Sequence, residues 1–585
     1  MNNREIAKLL RAVSAAYEIK GKNRFKIIAY DRAASAIEHS TSEAKDLWDD
    51  NKLTSLAGVG FSIASHLDKL FKKGRVLHFE KIMKGLPPAM FELLEVPGIG
   101  PKTAFTLSQK LKIKPGTAIS QLKRAAQEGK IREIEGFGKE SEKDLLEGID
   151  EAGRREERLL LSFADNLAKK IIEYMKGEKS VKRIDFLGSL RRRVATAGDI
   201  DLAVATDQPK KAIDHFTRYS EVKEVVAKGA NTARVLLKNN YQVDLKTQKP
   251  AAYGALLQHF TGSKQHNIRL REIARKKNWS LSEYGIKIKG KLYQFGDEES
   301  FYKKLGMAWI PPELREDSGE IEAAEKNKLP KLIKPENIKG DLHVHSDFPL
   351  EASHDEGTTP MRKMIEKAIE LGYEYLGFSE HNPSQSQHTE KQMIDLLKRK
   401  KEEIEKIKSS YNKITQKKKI EILNGLEVDI RPNGDWAFPR KGFDFVDYLV
   451  VSIHSNFKMD RKRMTERTLK ALSHPKVKIL SHPTGRLLTK REGYELEWEK
   501  IFDFCRKNNK WPEINAQPER LDLPETMIKE AVKNGVKMVI NTDSHALDQM
   551  EMMGYGVAVA RRGWASPANI VNTLSWEKLS GILKN

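Results

Sequence analysis

The sequence predicts a multidomain chain: α-helical N-terminal domains, then an α+β region, then a C-terminal α/β barrel. Three observations predict it. The chain has 585 residues, too many for one hydrophobic core, and such a length suggests roughly three to five domains. Helical periodicity gives way near residue 180 to short β-rich runs that alternate with helical stretches. From Gly340 onward, short apolar strands alternate with helices, the pattern of an α/β barrel.

Composition narrows the class. Hydrophobic residues make up 39% and charged residues 32%, values of a soluble globular protein. No apolar run approaches the roughly 20 residues that span a bilayer, and the polar start from Met1 to Leu10 is no secretory signal. Cys505 is the single cysteine, which excludes an intramolecular disulfide and a cysteine-built zinc site. A cytoplasmic protein without a membrane partner is expected. The 104 basic and 82 acidic side chains give a net charge of +22. A polyanionic partner would explain that excess, because each neutralised phosphate releases counterions.

In the first 85 residues apolar positions recur at helical spacing, as in Ile6-Leu9-Leu10-Val13 and Ile63-Leu67-Leu70. Three Gly-x-Gly turns punctuate this helical text: Gly58-Val59-Gly60, Gly98-Ile99-Gly100 and Gly136-Phe137-Gly138. Each is followed by a helix-forming stretch, the pattern of a helix-hairpin-helix. Its turn exposes backbone N–H groups at a helix N-terminus, where a phosphate can sit.

In the α+β region, strands are expected at Ile184–Leu187, Ile200–Val204, Ala233–Leu237 and Tyr241–Leu245. Gly188-Ser189-Leu190-Arg191-Arg192 precedes Gly198-Asp199-Ile200-Asp201-Leu202. Asp199 and Asp201 are two residues apart on a strand, so they face one side. Two such carboxylates repel unless cations lie between them, and a pair of divalent ions can hold a triphosphate for in-line phosphoryl transfer. The Gly-Ser turn and the arginines offer phosphate contacts. Asp244, on another strand, adds a third carboxylate.

These strings resemble the nucleotidyltransferase superfamily, and specifically the family X DNA polymerases, relatives of polymerase beta. Phe260-Thr261-Gly262-Ser263-Lys264-Gln265-His266-Asn267 looks like the family's nucleotide-binding thumb segment, and Glu283-Tyr284-Gly285 and Pro311-Pro312-Glu313-Leu314-Arg315 match bacterial members. The similarity spans residues 1 to about 320. It implies that Asp199, Asp201 and Asp244 hold two Mg2+ or Mn2+ ions, and that Asp244 helps deprotonate the primer 3′-hydroxyl. It implies that Gly188, Ser189 and Arg192, with Arg158, hold the β and γ phosphates. Phe260, Gly262 and Asn267 would line the sugar and base of a dNTP, and Arg271 would reach the template minor groove. His259 stands where polymerase beta has a tyrosine. Phe25, Lys26 and Tyr30 match positions near the template base and the downstream 5′-phosphate. The lysine that forms the family's lyase imine falls at His66, and a nearby phosphate-contacting lysine at Ser62. An imidazole cannot form that imine, so deoxyribose-phosphate lyase activity is not expected at this position.

The C-terminal half sets histidines beside carboxylates, mostly at the ends of apolar runs. The strings are Asp341-Leu342-His343-Val344-His345, Ser379-Glu380-His381, Glu427-Val428-Asp429, Ser452-Ile453-His454, Ser481-His482-Pro483-Thr484-Gly485-Arg486 and Asn541-Thr542-Asp543-Ser544-His545. Strand ends of an α/β barrel converge at one mouth, and mixed imidazole and carboxylate suit zinc, manganese or iron. The set resembles the PHP domain, named for polymerase and histidinol phosphatase, which bacterial family X polymerases carry at this position. The resemblance implies a distorted (β/α)7 barrel holding up to three Mn2+, Zn2+ or Fe2+ ions, with 3′–5′ exonuclease activity and, further, nicking at abasic sites or 3′-end cleaning. The ligands it implies are His343, His345, Asp355, His381, Glu427, His454, His482, Asp543 and His545. Asp355 follows an insertion, and Glu356 is its alternative. His354, His388 and His474 are read as structural or surface residues. Arg486 and Arg520 are candidates equally for substrate phosphate and for salt bridges.

The expected layout is a gap-binding domain over 1–85, a fingers domain over 86–155, a nucleotidyltransferase palm over 156–255, a thumb over 256–315, a linker over 316–338 and the PHP domain over 339–585. Segment 390–420 reads as a Lys-rich, solvated helix. The expected function is gap filling in base-excision or end repair on gapped or primed duplex DNA by a monomer, with an attached nuclease. The alternatives are a template-independent nucleotidyltransferase and a DNA-binding scaffold with decayed sites.

Overall fold

The computed structural model describes every residue except 2, 22–23, 39–43, 50–52, 57, 97, 155–157, 415–419 and 585. Two helical cores open the chain. Helices Asn3–Ile19, Arg24–Glu38 and Phe61–Lys73 pack around Ile6, Leu10, Val13 and Leu67. Helices Pro88–Leu93, Pro101–Lys110, Ala118–Gln127 and Lys139–Arg154 enclose Leu93, Leu107 and Leu122. Each Gly-x-Gly turn has its first glycine in the left-handed region, with φ of 100° at Gly58, 82° at Gly98 and 90° at Gly136. A side chain would be strained at all three. Helices start directly after Gly60, Gly100 and Gly138, while Val59 and Ile99 are buried and anchor their turns.

The region expected as the palm holds a five-stranded sheet in the order Arg183–Phe186, Ile200–Ala205, Gln242–Gln248, Thr232–Leu237, Val222–Lys228. Side chains alternate between its faces. Leu202, Val204, Val243 and Leu245 join one core, together with residues of helices Leu161–Lys176 and Pro209–Phe216. Ala203 and Ala205 pack on the other face against Tyr253, Leu256 and Leu257 of helix Tyr253–Thr261. By the same alternation, Asp201 and Asp244 belong to this second face. Strand Val222–Lys228 was not expected from the sequence. It is an edge strand whose residues are nearly all exposed, so no inside–outside alternation marks it.

The thumb joins helices Tyr253–Thr261, Lys264–Lys276 and Glu298–Leu305 to a three-stranded antiparallel sheet, Trp279–Ser282, Gly285–Ile288 and Lys291–Tyr293. Segment 316–338, expected as a linker, is instead packed at both of its ends. Ile321, Ala324 and Leu332 belong to the thumb core, and Ile333 and Ile338 join a continuous core shared by palm and barrel. Ile321, Ala324, Leu332, Ile333 and Ile338 are buried while residues 325–328 between them are exposed, so a low apolar count did not mean an unpacked segment.

The C-terminal domain is a ring of seven parallel strands: Gly340–Val344, Tyr375–Phe378, Glu421–Asp429, Tyr448–Ser452, Val477–Leu480, Trp511–Asn515 and Val539–Asn541. Each pairs with the next in sequence, and a parallel bridge from Val344 to Ser544 joins the last to the first. Both faces of such strands are covered, so they read as apolar runs rather than alternation. Helix Glu390–Ile414 is Lys-rich as expected, but it is not wholly a solvated face. Lys400 is fully buried, 2.5 Å from Glu380 and donating to the carbonyls of Phe378 at 3.0 Å and Gly425 at 2.6 Å. Among the described residues no helix is long and apolar enough to cross a membrane.

Candidate active sites

The first site lies where the palm strands carry their carboxylates. Strands Ile200–Ala205 and Gln242–Gln248 run parallel with Asp201 directly opposite Asp244. Asp199 precedes the first strand by one residue. Arg234, across the sheet from Asp244, makes a two-pronged contact to it, Nε to Oδ1 at 2.9 Å and Nη2 to Oδ2 at 3.0 Å. Burial, Asp199 and Asp244 push the Asp201 carboxyl up to about 7. Three carboxylates held together against their mutual repulsion are a setting that divalent cations relieve.

Gly188 closes one wall. Its φ is +56°, and a β-carbon there would meet Asp201 Oδ2 at 2.8 Å. Gly188→Ala is therefore expected to displace the Asp201 carboxylate and to cost about 1 kcal/mol or more through backbone strain alone. The primer extension expected of this site should fall much more than the melting temperature, which parallel primer-extension and thermal-melting assays would measure.

Ser189 lies in the short helix Gly188–Arg191. Arg158 donates to Thr196 Oγ1 at 2.8 Å and to its carbonyl at 2.7 Å, and it approaches Gly198 beside Asp199. Arg192 is buried, with Nε 3.0 Å from Glu316 and Nη1 2.6 Å from the Thr261 carbonyl. That second contact ties the Gly188–Arg193 loop to the segment around Gly262. Gly262 there has φ +70°, with Arg192 Nη1 at 3.1 Å from its would-be β-carbon. Asn267 is held at both ends of its amide, accepting from Gln258 at 2.8 Å and donating to the His259 carbonyl at 2.6 Å. Phe260 carries the Lys246 ammonium 4.7 Å above its ring. Arg271 is exposed on the same helix as Asn267. Neighbouring Arg191 is committed elsewhere: it pairs with Glu298, which also holds the fully buried Arg315. Nothing local in the sequence marked Arg234, Glu298 or Glu316, because each is matched to its partner by tertiary pairing.

In the N-terminal domain Phe25 is 84% exposed and Lys26 lies over Tyr17. Tyr30 departs from its expected DNA-facing position. It is 3% exposed and hydrogen-bonds His66 Nδ1 at 2.8 Å. His66 stacks on His78 at 4.7 Å between ring centres. Burial, His78 and nearby lysines lower the His66 imidazole to about 4.

The second site gathers all nine expected ligands at the barrel mouth. Glu427 is the hub: Oε2 lies 3.2 Å from His343 Nε2, 3.5 Å from His345 Nε2 and 3.0 Å from His381 Nδ1. Its Oε1 lies 3.2 Å from His482 Nε2 and 3.6 Å from His454 Nε2. Asp543 stands 3.2 Å from His345 and 3.5 Å from His343. Asp355, 81% exposed, reaches over the top to within 3.7 Å of His545 and 3.9 Å of His381. Glu356 lines the same cleft. His482 and Asp543 adopt positive φ, 27° and 52°, a conformation non-glycine residues hold only where the surroundings enforce it.

The donor set fits metal ions. His343 Nε2, His345 Nε2, Glu427 Oε2, His482 Nδ1 and His545 Nε2 are buried with no hydrogen-bond partner. Most buried polar atoms find partners, and five of the fifteen orphaned ones among the described residues fall in this one cluster. Overlapping groups of three or four of these side chains place their ligand atoms within 4.8 Å of one another. Burial alone would raise the Glu427 carboxyl, but His381 and His343 hold it well below the usual carboxylate range. Burial would lower the His343 imidazole, but Glu513, Asp543 and Glu427 raise it well above its ordinary value.

A second layer orients these groups. Glu513 accepts from His343 Nδ1 at 2.8 Å, and Asp429 from His454 Nδ1 at 2.6 Å. His354, expected to be structural or on the surface, is part of this layer, because its Nε2 contacts Asp429 at 2.8 Å. Removing such an orienting carboxylate typically weakens metal binding about 10–100-fold. Asp429→Asn should therefore lower metal affinity by that factor, which titration of the metal-stripped protein would measure. Arg486, a candidate equally for substrate phosphate and for a salt bridge, has its guanidinium turned to main-chain oxygens. It is buried and donates to the carbonyls of Arg520 and Leu521. Arg520 instead stays near the site, 3.9 Å from Asp543. His388 pairs with Glu351, and His474 stacks on Phe443.

Known families match in the same order along the chain. A helix-hairpin-helix domain matches residues 1–76, and a SAM-like helix-hairpin-helix tandem matches residues 90–151. The DNA polymerase beta thumb matches residues 256–316 and the PHP domain residues 341–517. The chain is 32% identical over 591 residues to the protein named DNA polymerase/3′-5′ exonuclease PolX of Bacillus subtilis (strain 168), covering 100% of both chains. It is 30% identical over 143 residues to the Repair DNA polymerase X of African swine fever virus (isolate Tick/South Africa/Pretoriuskop Pr4/1996), covering 23% of this chain and 82% of the viral one. With a full-length relative, a polymerase beta thumb and a PHP domain after it, the chain belongs to the family X DNA polymerases that carry a C-terminal PHP domain.

Proposed function

We propose that this protein fills short gaps in DNA during repair, and that its barrel removes nucleotides from 3′-ends of the same DNA. The protein is a DNA polymerase with an attached metal-dependent 3′–5′ exonuclease. The observation that carries the polymerase reading is the register of Asp201 against Asp244, beside Asp199 and under the Gly188 turn. Two Mg2+ or Mn2+ ions held there would supply charge neutralisation for the dNTP triphosphate and acidify the primer hydroxyl. Asp244, its orientation set by Arg234, would take the hydroxyl proton. Ser189, Arg192 and Arg158 would bind the phosphates. Phe260, Gly262, Asn267 and Arg271 would face the nucleotide and the template.

In the barrel, Mn2+, Zn2+ or Fe2+, up to three ions, would activate water for attack on phosphorus. His343, His345, Asp355, His381, Glu427, His454, His482, Asp543 and His545 would hold them. Glu513 and Asp429 keep two of the imidazoles aimed inward. The three Gly-x-Gly turns would bind duplex backbone phosphates without reading sequence. They favour a templated reaction over a template-independent one, and the intact carboxylate and imidazole sets oppose a decayed scaffold. A monomer with gapped DNA and dNTPs as its substrates completes this reading. At His66 no imine-based lyase step is expected.

The test is a one-nucleotide gapped duplex with Mg2+ or Mn2+. Only the dNTP complementary to the template should be added, and without dNTPs the primer should shorten from its 3′-end. Incorporation of all four dNTPs at equal rates would defeat templated synthesis. An unchanged primer in the second arm would defeat the exonuclease.

A further inference from the structure

The barrel touches the polymerase at the loop assigned to the triphosphate. Helix Met553–Arg562 of the barrel ends at Arg562, which is almost wholly buried. Its Nη1 donates to the main-chain carbonyl of Arg192 at 2.9 Å and to Glu316 Oε1 at 3.0 Å. Its Nη2 donates to Glu525 Oε1 at 2.9 Å. The same Glu316 oxygen accepts from Arg192 Nε at 3.0 Å. Two guanidinium groups thus share one carboxylate, and a second carboxylate, Glu525, balances the charge. Burial would raise the Glu316 carboxyl, but Arg192 and Arg562 hold it down to about 2, so it is an anion at any working pH.

A second grip lies one residue along. Arg193 is paired with Asp165, and Asp165 also accepts from the Tyr555 hydroxyl of the barrel helix at 3.3 Å. The loop Gly188–Arg193 is therefore held on one side by the palm and on the other by the phosphoesterase domain. Phosphate binding by Arg192 demands a fixed guanidinium. Geometry set in advance lowers the ordering cost at binding and favours the ligand it matches. Glu316 fixes Arg192 from its side chain, and Arg562 fixes both Glu316 and the Arg192 backbone.

We infer that Arg562 of the barrel is a positioning residue for dNTP binding, holding Arg192 and Glu316 in the arrangement that receives the β and γ phosphates. This rests on the reading of Arg192 as a phosphate ligand. The effect reaches the polymerase through the triphosphate and not through DNA, because the contacts end on the phosphate loop. Lysine cannot replace it fully: a single ammonium keeps the charge but does not span three acceptors in the fork geometry of guanidinium.

The experiment is steady-state insertion on a one-nucleotide gap by the full chain, comparing wild type, Arg562→Ala, Arg562→Lys and Arg192→Ala. For Arg562→Ala the dNTP KM should rise about tenfold or more, with kcat changed less than about threefold. The inhibition constant of pyrophosphate should rise in parallel, the KM for gapped DNA should not, and 3′–5′ exonuclease activity should stay within about twofold of wild type. Arg562→Lys should fall between. A wild-type dNTP KM in both Arg562 variants would overturn the inference. Joint loss of extension and exonuclease in both would overturn it as well, because Arg562 would then hold the fold and not the grip. If Arg562→Ala alone loses both activities, the lysine variant decides, by a raised or an unchanged KM. An unaltered KM and pyrophosphate constant in Arg192→Ala would instead remove the phosphate assignment itself.

Discussion

Asp201→Ala is expected to lower templated extension about 10³-fold or more while leaving exonuclease activity near wild type, because a site that would hold two cations does not tolerate loss of one of its three carboxylates. Asp201 is the best choice because it sits between its two partners, opposite Asp244 and two residues from Asp199. The isosteric Asp201→Asn variant separates charge from shape. It should be as inactive in extension, yet more stable than wild type when divalent cations are chelated. Burial and the neighbouring carboxylates push the Asp201 carboxyl up to about 7. A raised acid pKa means that the ionised form is the unfavourable one. Its cost is absent below the unfolded value near 3.8, grows as pH rises towards 7, and is constant above. Allowing for solvent at this partly exposed group, the asparagine variant should gain about 2 kcal/mol at pH 8 and little at pH 4. Thermal melts with a chelator at both values measure this. A wild-type protein that melts higher than the asparagine variant at pH 8 would contradict the repulsion on which the site is built.

Glu427→Gln should have the mirror effect. Its carboxylate lies within 3.6 Å of nitrogens on His343, His345, His381, His454 and His482, so it is the one anion shared by most of the imidazole donors. Glutamine keeps the volume and removes the charge that offsets bound cations. Exonuclease activity should fall about 10³-fold or more, and metal content after equilibrium dialysis should drop by at least one ion per chain. Templated extension should stay within about threefold of wild type, because the imidazoles that Glu427 contacts all belong to the barrel. A variant that retained full exonuclease activity would show that the cluster is not the hydrolytic centre. A variant that lost extension too would show that the two centres are not independent.

These opposite outcomes follow from two sites built on different donor chemistry. The palm site is all carboxylate and suits hard cations that carry phosphates. The barrel site mixes imidazole with carboxylate and suits softer divalent ions. One chain thus holds a centre that extends a 3′-end and another that trims it.

The sequence by itself determined the order of the helical, α+β and barrel regions, the three glycine turns, and which carboxylates and histidines stand at strand spacing or at the ends of apolar runs. Such features are local: a φ that only glycine tolerates, two carboxylates at strand spacing, and histidines at the ends of apolar runs each leave a mark within a few residues. The tertiary structure alone decided the rest. It placed Tyr30 inside its domain against His66, gave Arg486 to backbone carbonyls, and brought His354 and Asp429 behind His454. It turned a charged, proline-bearing segment into part of two cores, and it seated Arg562 on a loop 370 residues away in sequence. The physical reason is that buried ion pairs and orienting hydrogen bonds depend on which surfaces meet, and a charged side chain reads the same in a sequence whether its partner is solvent or a residue several hundred positions distant.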